Sequence, residues 1–321
     1  MSFREVSMLS RCSFALRQVL RPLIAHVVAT LMIGVATASA AEPIGRFDPG
    51  QDLLLAHFDL KTDVDDVHSV AAIATMLADP AMAKVRCHAV AGAYGVQTGL
   101  YVPAEGLFDL VFDDDWSDAH SDRDAALDRV TRLAAETLEA GGTVWVAEAG
   151  QSDFTAAVVR RLAERVPADE LRSRIVVVQH ADWNEEVTTA ADLSYVRRTT
   201  NYKRIPDGNS VGNGTPGFRS ELPVDWQTRI TIARLATIWR RAIDIANRYN
   251  GVEGRYLNEA IAAGGLDFSD VSEVAWIFGL EDLTDAEAFF DRFATCPAGG
   301  RGNEDPSGGT GLIGGGNRLP R

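Results

Sequence analysis

Five short apolar runs, each closed by a polar or glycine-rich turn and followed by helical spacing, constrain this chain more than any other feature. They predict strands over residues 53–58, 85–91, 143–147, 174–179 and 202–205. Their cores are continuous rather than alternating, as strands covered on both faces require. After the first run, Val67, Val70, Ala71, Ala74 and Leu77 recur at 3.6-residue spacing, and Asp79-Pro80 stops the pattern. Further helices are predicted over 122–140, 153–165, 188–198 and 225–249, with 271–280 and 285–293 closing the fold. Alternation of strand and helix implies an α/β class: an open, mostly parallel sheet flanked by helices, Rossmann-like, with right-handed crossovers.

The two ends of the chain read differently. Residues 1–21 carry Arg4, Arg11, Arg17 and Arg21 against Glu5 alone, an apolar run follows over 22–35, and Ala38-Ser39-Ala40 is a small-x-small cleavage site. That order predicts a secretory signal over 1–40 and a periplasmic or secreted protein. The run is shorter than the roughly 20 residues a membrane span needs. From Pro297 onward glycine, proline, asparagine and serine dominate, which predicts a disordered tail over 296–321. One α/β domain is expected between, over 41–295. Cys12 falls in the signal, and Cys87 and Cys296 cannot staple a chain of this size.

Charge narrows the partners. The chain has 321 residues and a formal charge of −14, and cleavage after Ala40 takes it to −17. Such a surface repels phosphate backbones, so nucleic acid is excluded as an expected partner. Cations and neutral small molecules are compatible with it. Nothing suggests a membrane partner once the signal is gone, and a homo-oligomer stays open.

The stretch 57-HFDLKTDVDDVHS-69 places Asp59, Asp63, Asp65 and Asp66 at the mouth of the first strand. Ligands in open α/β sheets bind outside the carboxyl ends of strands. Helix capping by Asp63 and dipole pairing by Asp65 and Asp66 account for some of these acids, at about 0.3–1 kcal/mol each. Four packed together repel one another and call for a cation, and Ca²⁺ takes six to eight oxygen ligands. Lys61, inside the cluster, is an alternative counter-charge. The loop lacks the EF-hand's glycine and its twelfth-position glutamate. A haloacid dehalogenase-type phosphatase would carry its second aspartate where Lys61 stands.

The turn 59-DLKTDVDD-66 resembles the opening Asp-x-Asp-x-Gly-x-Asp-Asp of the nucleoside hydrolase superfamily (inosine–uridine-preferring type), with Lys61 at the second aspartate and Asp63 at the glycine. Other segments follow that family's order: 90-VAGAYG-95, with Ala93 and Tyr94 in place of a pocket asparagine; 143-TVWVAEAG-150; 174-RIVVVQHADWNEE-186; and 267-DFSD-270 before an apolar helix. The resemblance implies one Ca²⁺ held by Asp59, Asp66, Asp270 and the Ala149 carbonyl. It implies hydrolysis of an N-glycosyl or related glycosyl bond in a nucleoside or small sugar conjugate. The family's base position is Lys61, so the role passes to Asp63 or Asp65.

A second cluster follows the fourth predicted strand. Trp183 offers an aromatic face, and His180, Asp182, Asn184 and Glu185 offer hydroxyl-reading groups. Glu186 fits an acidic first helical turn. Glu148 is either a lone buried acid or a ligand-facing group. The glycine-rich loop over 206–218 brings Asp207, Asn209 and Asn213 as candidate lid contacts, with Asn209 foremost. Against the hydrolase stand two alternatives: a non-catalytic sugar binder on the same fold, and a metal-dependent phosphatase.

Overall fold

In the computed structural model, which describes residues 43–294, six strands form one parallel sheet. They are β1 (Leu53–Phe58), β2 (Cys87–Ala91), β3 (Trp116–Asp118), β4 (Val144–Ala149), β5 (Ile175–His180) and β6 (Asn201–Ile205), in the order β3-β2-β1-β4-β5-β6. The expected signal and tail lie outside the described residues. Among the described residues no helix is long and apolar enough to cross a membrane.

The alternation of side chains along β1 explains the two layers. Leu54, Ala56 and Phe58 face one apolar core, whereas Leu53 and Leu55 face the other. The first core is covered by α1 (Asp65–Leu77), α2 (Glu105–Phe112), α9 (Ala233–Tyr249), α11 (Val271–Ile277) and α12 (Ala286–Phe293). The second is covered by α3 (Arg123–Glu139), α4 (Asp153–Leu162), α5 (Ala168–Arg174) and α7 (Ala190–Thr199). The short helix α6 (Trp183–Val187) follows β5, and α8 (Trp226–Arg229), α10 (Glu259–Ala262) and the antiparallel pair β7 (Arg219–Ser220) and β8 (Leu266–Asp267) lie between the longer helices.

The predicted elements are found with shifted ends, and there are further differences. The 225–249 segment is two helices, because Ile230-Thr231-Ile232 puts three β-branched residues in a row and breaks the run. Asp63 does not cap α1: Val64 holds that position, and Asp63 instead accepts the Val64 N–H at 2.6 Å. Helices α2, α5, α6 and α10, the edge strand β3 and the pair β7–β8 add to the predicted elements. β3 has only three residues, too few for a periodicity.

Topology fixes where a site belongs. From β1 the chain winds outward to β2 and β3, then returns to β4 and winds the other way. The loops leaving β1 and β4 therefore part at their carboxyl ends. That switch point is where open α/β sheets hold ligands, and Phe58 and Ala149 are register partners there.

Candidate metal and substrate site

The chain leaves β1 into a tightly tied turn. Leu60 sits at φ 52°, a left-handed conformation unusual for a leucine. Its N–H donates to Asp66 Oδ2 at 2.6 Å, and its carbonyl accepts the Val102 N–H at 2.8 Å. The Lys61 N–H donates to Asp59 Oδ1 at 2.8 Å, and Asp59 N–H to the Ala149 carbonyl at 3.2 Å. Gly150 closes the wall from β4: at φ 140°, an added Cβ would stand 2.7 Å from Asp59 Cβ. Asp270, just before α11, accepts from Ser69 Oγ at 3.1 Å.

Asp59, Lys61, Ala149, Gly150 and Asp270 line one cavity of about 380 Å³, together with Asp63, Asp65 and Asp66. Burial, with mutual repulsion behind it, pushes the carboxyls of Asp59, Asp65 and Asp66 well above the usual range. Asp63 is pushed up to about 7, by burial first and then by Asp267 and Asp270. Asp59 and Asp66 approach within hydrogen-bonding reach of each other. Asp66 Oδ1 is buried and receives no donor among the described residues.

The nearby ammonium does not resolve this. Lys61 Nζ lies 4.1 Å from the centroid of the Tyr94 ring, and Lys61 makes no ion pair within 4 Å among the described residues. Tyr94 is held in turn by its hydroxyl, 2.7 Å from His120 Nδ1, and His120 stacks on Tyr101 at 3.8 Å.

Hard oxygen donors and an unpartnered buried carboxylate oxygen fit a calcium ion, which favours such ligands. Among the described residues no three His, Cys, Asp or Glu side chains already converge on one point as a metal cage. The fit is therefore one of donor chemistry and location. The Ala149 carbonyl, with one lone pair on Asp59 N–H, keeps the other.

His180 ends β5 beside the acids. Gly208 N–H donates to its Nδ1 at 3.0 Å, so the proton sits on Nε2, toward Asp270 Oδ1 at 3.4 Å and Glu273 Oε1 at 3.8 Å. Burial disfavours a charged ring, but Glu273, Asp207 and Asp270 together outweigh it and raise the ring's proton affinity well above the ordinary value. A second proton at Nδ1 would exchange the Gly208 amide for Asp207 Oδ1, 3.5 Å away. The Gly208 amide and Asp207 thus compete for Nδ1: the amide needs its lone pair, whereas Asp207 favours a proton there. Asp207 comes from the glycine-rich loop, and its Oδ1 also accepts from Asn209 N–H and Nδ2 at 2.9 and 3.0 Å.

Of the residues expected from sequence, Asp59, Asp63, Asp65, Asp66, Ala149, His180, Trp183, Asn184, Asn209 and Asp270 line this cavity. Asp182 and Glu185 do not. Asp182 turns outward to Arg204 on β6, and Glu185 is drawn to Arg197 and to the Tyr202 hydroxyl at 2.8 Å. Glu148 faces the opposite side of the sheet, bonded to Thr155 and 3.4 Å from His57 Nδ1. Sequence reasoning missed Arg219 and Tyr256, both in the lining. They lie on the strand and loop segments after α7, with no motif around them. Trp183 and Tyr256 are both about half exposed, two aromatic faces on one cavity.

Searches of protein-family models, curated proteins and solved structures return no match for this chain.

Proposed function

We propose that the protein is a Ca²⁺-dependent hydrolase of an N-glycosyl or related glycosyl bond, a divergent relative of the nucleoside hydrolases acting outside the cytoplasm. The observation that carries this is the acid-lined cavity at the switch point between β1 and β4, with Asp66 Oδ1 buried and undonated. Asp59, Asp66, Asp270 and the Ala149 carbonyl would hold the ion. When bound, calcium supplies the charge compensation these carboxylates need, a polarised water and an anchor for sugar hydroxyls.

The chain's own residues divide the remaining work. Asp63 has one oxygen engaged by Val64 N–H and Asn258, which leaves the other to take a proton from an attacking water. Asp65, with one oxygen on the Asp66 N–H, is the other candidate base. The surrounding carboxylates stabilise positive charge that develops on the sugar as the bond to its leaving group stretches. Trp183 and Tyr256 offer stacking faces to a base or sugar ring, and Asn184 and Asn209 offer amides to hydroxyls.

One observation favours a second reading, a sugar-binding protein without catalysis: Lys61 stands where the resembled family keeps its base. Two measurements decide. Calcium content after dialysis, with and without Asp66→Asn, tests the metal site; a metal-free protein that Ca²⁺ does not stabilise would sink the proposal. Release of reducing sugar from a panel of nucleosides and glycosides, compared across Asp63→Asn and Asp65→Asn, separates hydrolase from binder and identifies the base.

A further inference from the structure

Asp63 and Asp65 leave the same turn, yet they are held differently. Asp65 Oδ1 accepts the N–H of the next residue, Asp66, at 3.0 Å, and no side chain donates to it among the described residues. Asp63 Oδ1 accepts the Val64 N–H at 2.6 Å and also a bond from Asn258 Nδ2 at 3.4 Å, from 195 residues away. The same Nδ2 donates to Asp267 Oδ2 at 2.8 Å, so its two N–H bonds serve two carboxylates. The Asn258 amide is fixed against turning over, because its Oδ1 caps α10 by accepting the Ile261 N–H at 3.3 Å. Its backbone is fixed as well: Asn258 N–H donates to Asn250 Oδ1 at 2.7 Å, and Asn250 Nδ2 donates to the Asn258 carbonyl at 2.9 Å. Asn258 is buried, and so is Asp267, whose Oδ1 accepts the Ser269 N–H at 3.3 Å and whose Oδ2 lies 3.8 Å from Arg219 Nε.

We propose, on the hydrolase reading, that Asn258 is a positioning residue that holds Asp63, rather than Asp65, as the general base of the acid-lined cavity. A base must keep one carboxylate oxygen aimed at the water while the rest of the group stays still, since a misplacement of about 1 Å costs on the order of a hundredfold. Asp63 meets both conditions. Its Oδ1 is tied to the turn and to a buried amide, whereas its Oδ2 takes no hydrogen bond among the described residues and is not closed off from solvent. Asp65 lacks the second tie, so its carboxylate follows the turn alone. In the step so assisted, the water oxygen bonds to the anomeric carbon and its proton passes to Asp63 Oδ2. The electron pair of the glycosyl bond departs with the leaving group.

The test uses the full chain in saturating CaCl₂ and the panel of nucleosides and glycosides, with inosine, uridine and p-nitrophenyl β-ribofuranoside among them, scored as sugar released. Asn258→Leu should lower kcat roughly ten- to hundredfold and leave KM within about twofold. Added to Asp63→Asn it should cost almost nothing more, whereas added to Asp65→Asn it should cost its full factor. A residue that only supports the fold would cost the same in both backgrounds. Asn258→Ser, which keeps a capping oxygen for α10 but is too short to bridge Asp63 and Asp267, serves if the leucine variant does not fold. An equal cost in the two backgrounds, or masking by Asp65→Asn instead, overturns the assignment and leaves the hydrolase reading standing. No sugar from any panel member overturns both.

Discussion

The ammonium of Lys61 rests over the ring of Tyr94, 4.1 Å from its centroid, rather than among the aspartates that flank it in sequence. Burial lowers the affinity of that amine for its proton, while Asp59 works to raise it. The pairing keeps a positive charge close to the carboxylates but out of their midst. A cation–π contact of this kind contributes about 0.5–2 kcal/mol. Removing the charge and releasing it should therefore have opposite effects. Lys61→Met is expected to tighten Ca²⁺ binding by roughly three- to tenfold, and Tyr94→Leu, which frees the lysine to swing inward, to weaken it by a similar factor. Isothermal titration with CaCl₂ checks both; changes of the same sign in the two variants would show that Lys61 does not compete with the ion.

The pH dependence of stability follows from the same cluster. Asp59, Asp63, Asp65 and Asp66 all hold their protons more tightly folded than unfolded, Asp63 up to about 7. Between the unfolded value of about 3.9 and the folded one, the native state binds more protons, so stability falls as pH rises through that window. On the proposed reading, calcium would replace those protons with a better counter-charge. In EDTA the melting temperature should drop between about pH 5 and pH 8, and added Ca²⁺ should raise it much more at the upper end. Thermal melts at the two pH values, with EDTA and with Ca²⁺, give the comparison. An equal Ca²⁺ effect at both would place the ion's site elsewhere.

Gly150 packs against Asp59 with no room for a side chain. Its φ of 140° disfavours any side chain, and a Cβ there would meet Asp59 Cβ at 2.7 Å and Oδ2 at 2.9 Å. Gly150→Ala is expected to destabilise by about 1–3 kcal/mol and to displace Asp59. Calcium affinity should fall by at least about tenfold, because a carboxylate ligand moved by a fraction of an ångström loses its contact. Denaturant melts and calcium titration measure the two effects separately. A destabilised variant with unchanged affinity would remove Asp59 from the ligand set.

Much of this arrangement was legible in the sequence because it is local. The end of β1, the acids after it, the Ala149-Gly150 turn and Asp270 before α11 each sit where a strand or helix boundary is visible in the apolar pattern. The topology then gathers boundaries that lie far apart in the chain. What was not legible depends on long-range orientation. The fate of Lys61 rests on Tyr94, and that of Tyr94 on His120 and Tyr101, three loop residues with no periodicity between them. Asp182 and Glu185 look like site residues by proximity to His180, yet Arg204, Arg197 and Tyr202 on neighbouring elements draw them away. Tyr256 and Arg219 reach the cavity from segments whose composition says nothing about it.

Glu148 shows how face, rather than neighbourhood, separates a site from a support. It is one residue from Ala149, and pairs in register with His57, so both point to the α4 side of the sheet. There Thr155 Oγ1 donates to Glu148 Oε2, and His57 Nδ1 lies 3.0 Å from the same hydroxyl. All three side chains are buried, at 1% exposure or less. Thr155→Val keeps the shape and removes the hydroxyl that satisfies the acid. Leaving a buried polar group without its partner costs about 1–3 kcal/mol, more for a charged one. The expected outcome is a clear loss of stability in urea with calcium affinity and sugar release unchanged at a temperature where the variant is folded. A variant that instead keeps its stability and loses calcium would put Glu148 back among the groups that serve the acid-lined cavity.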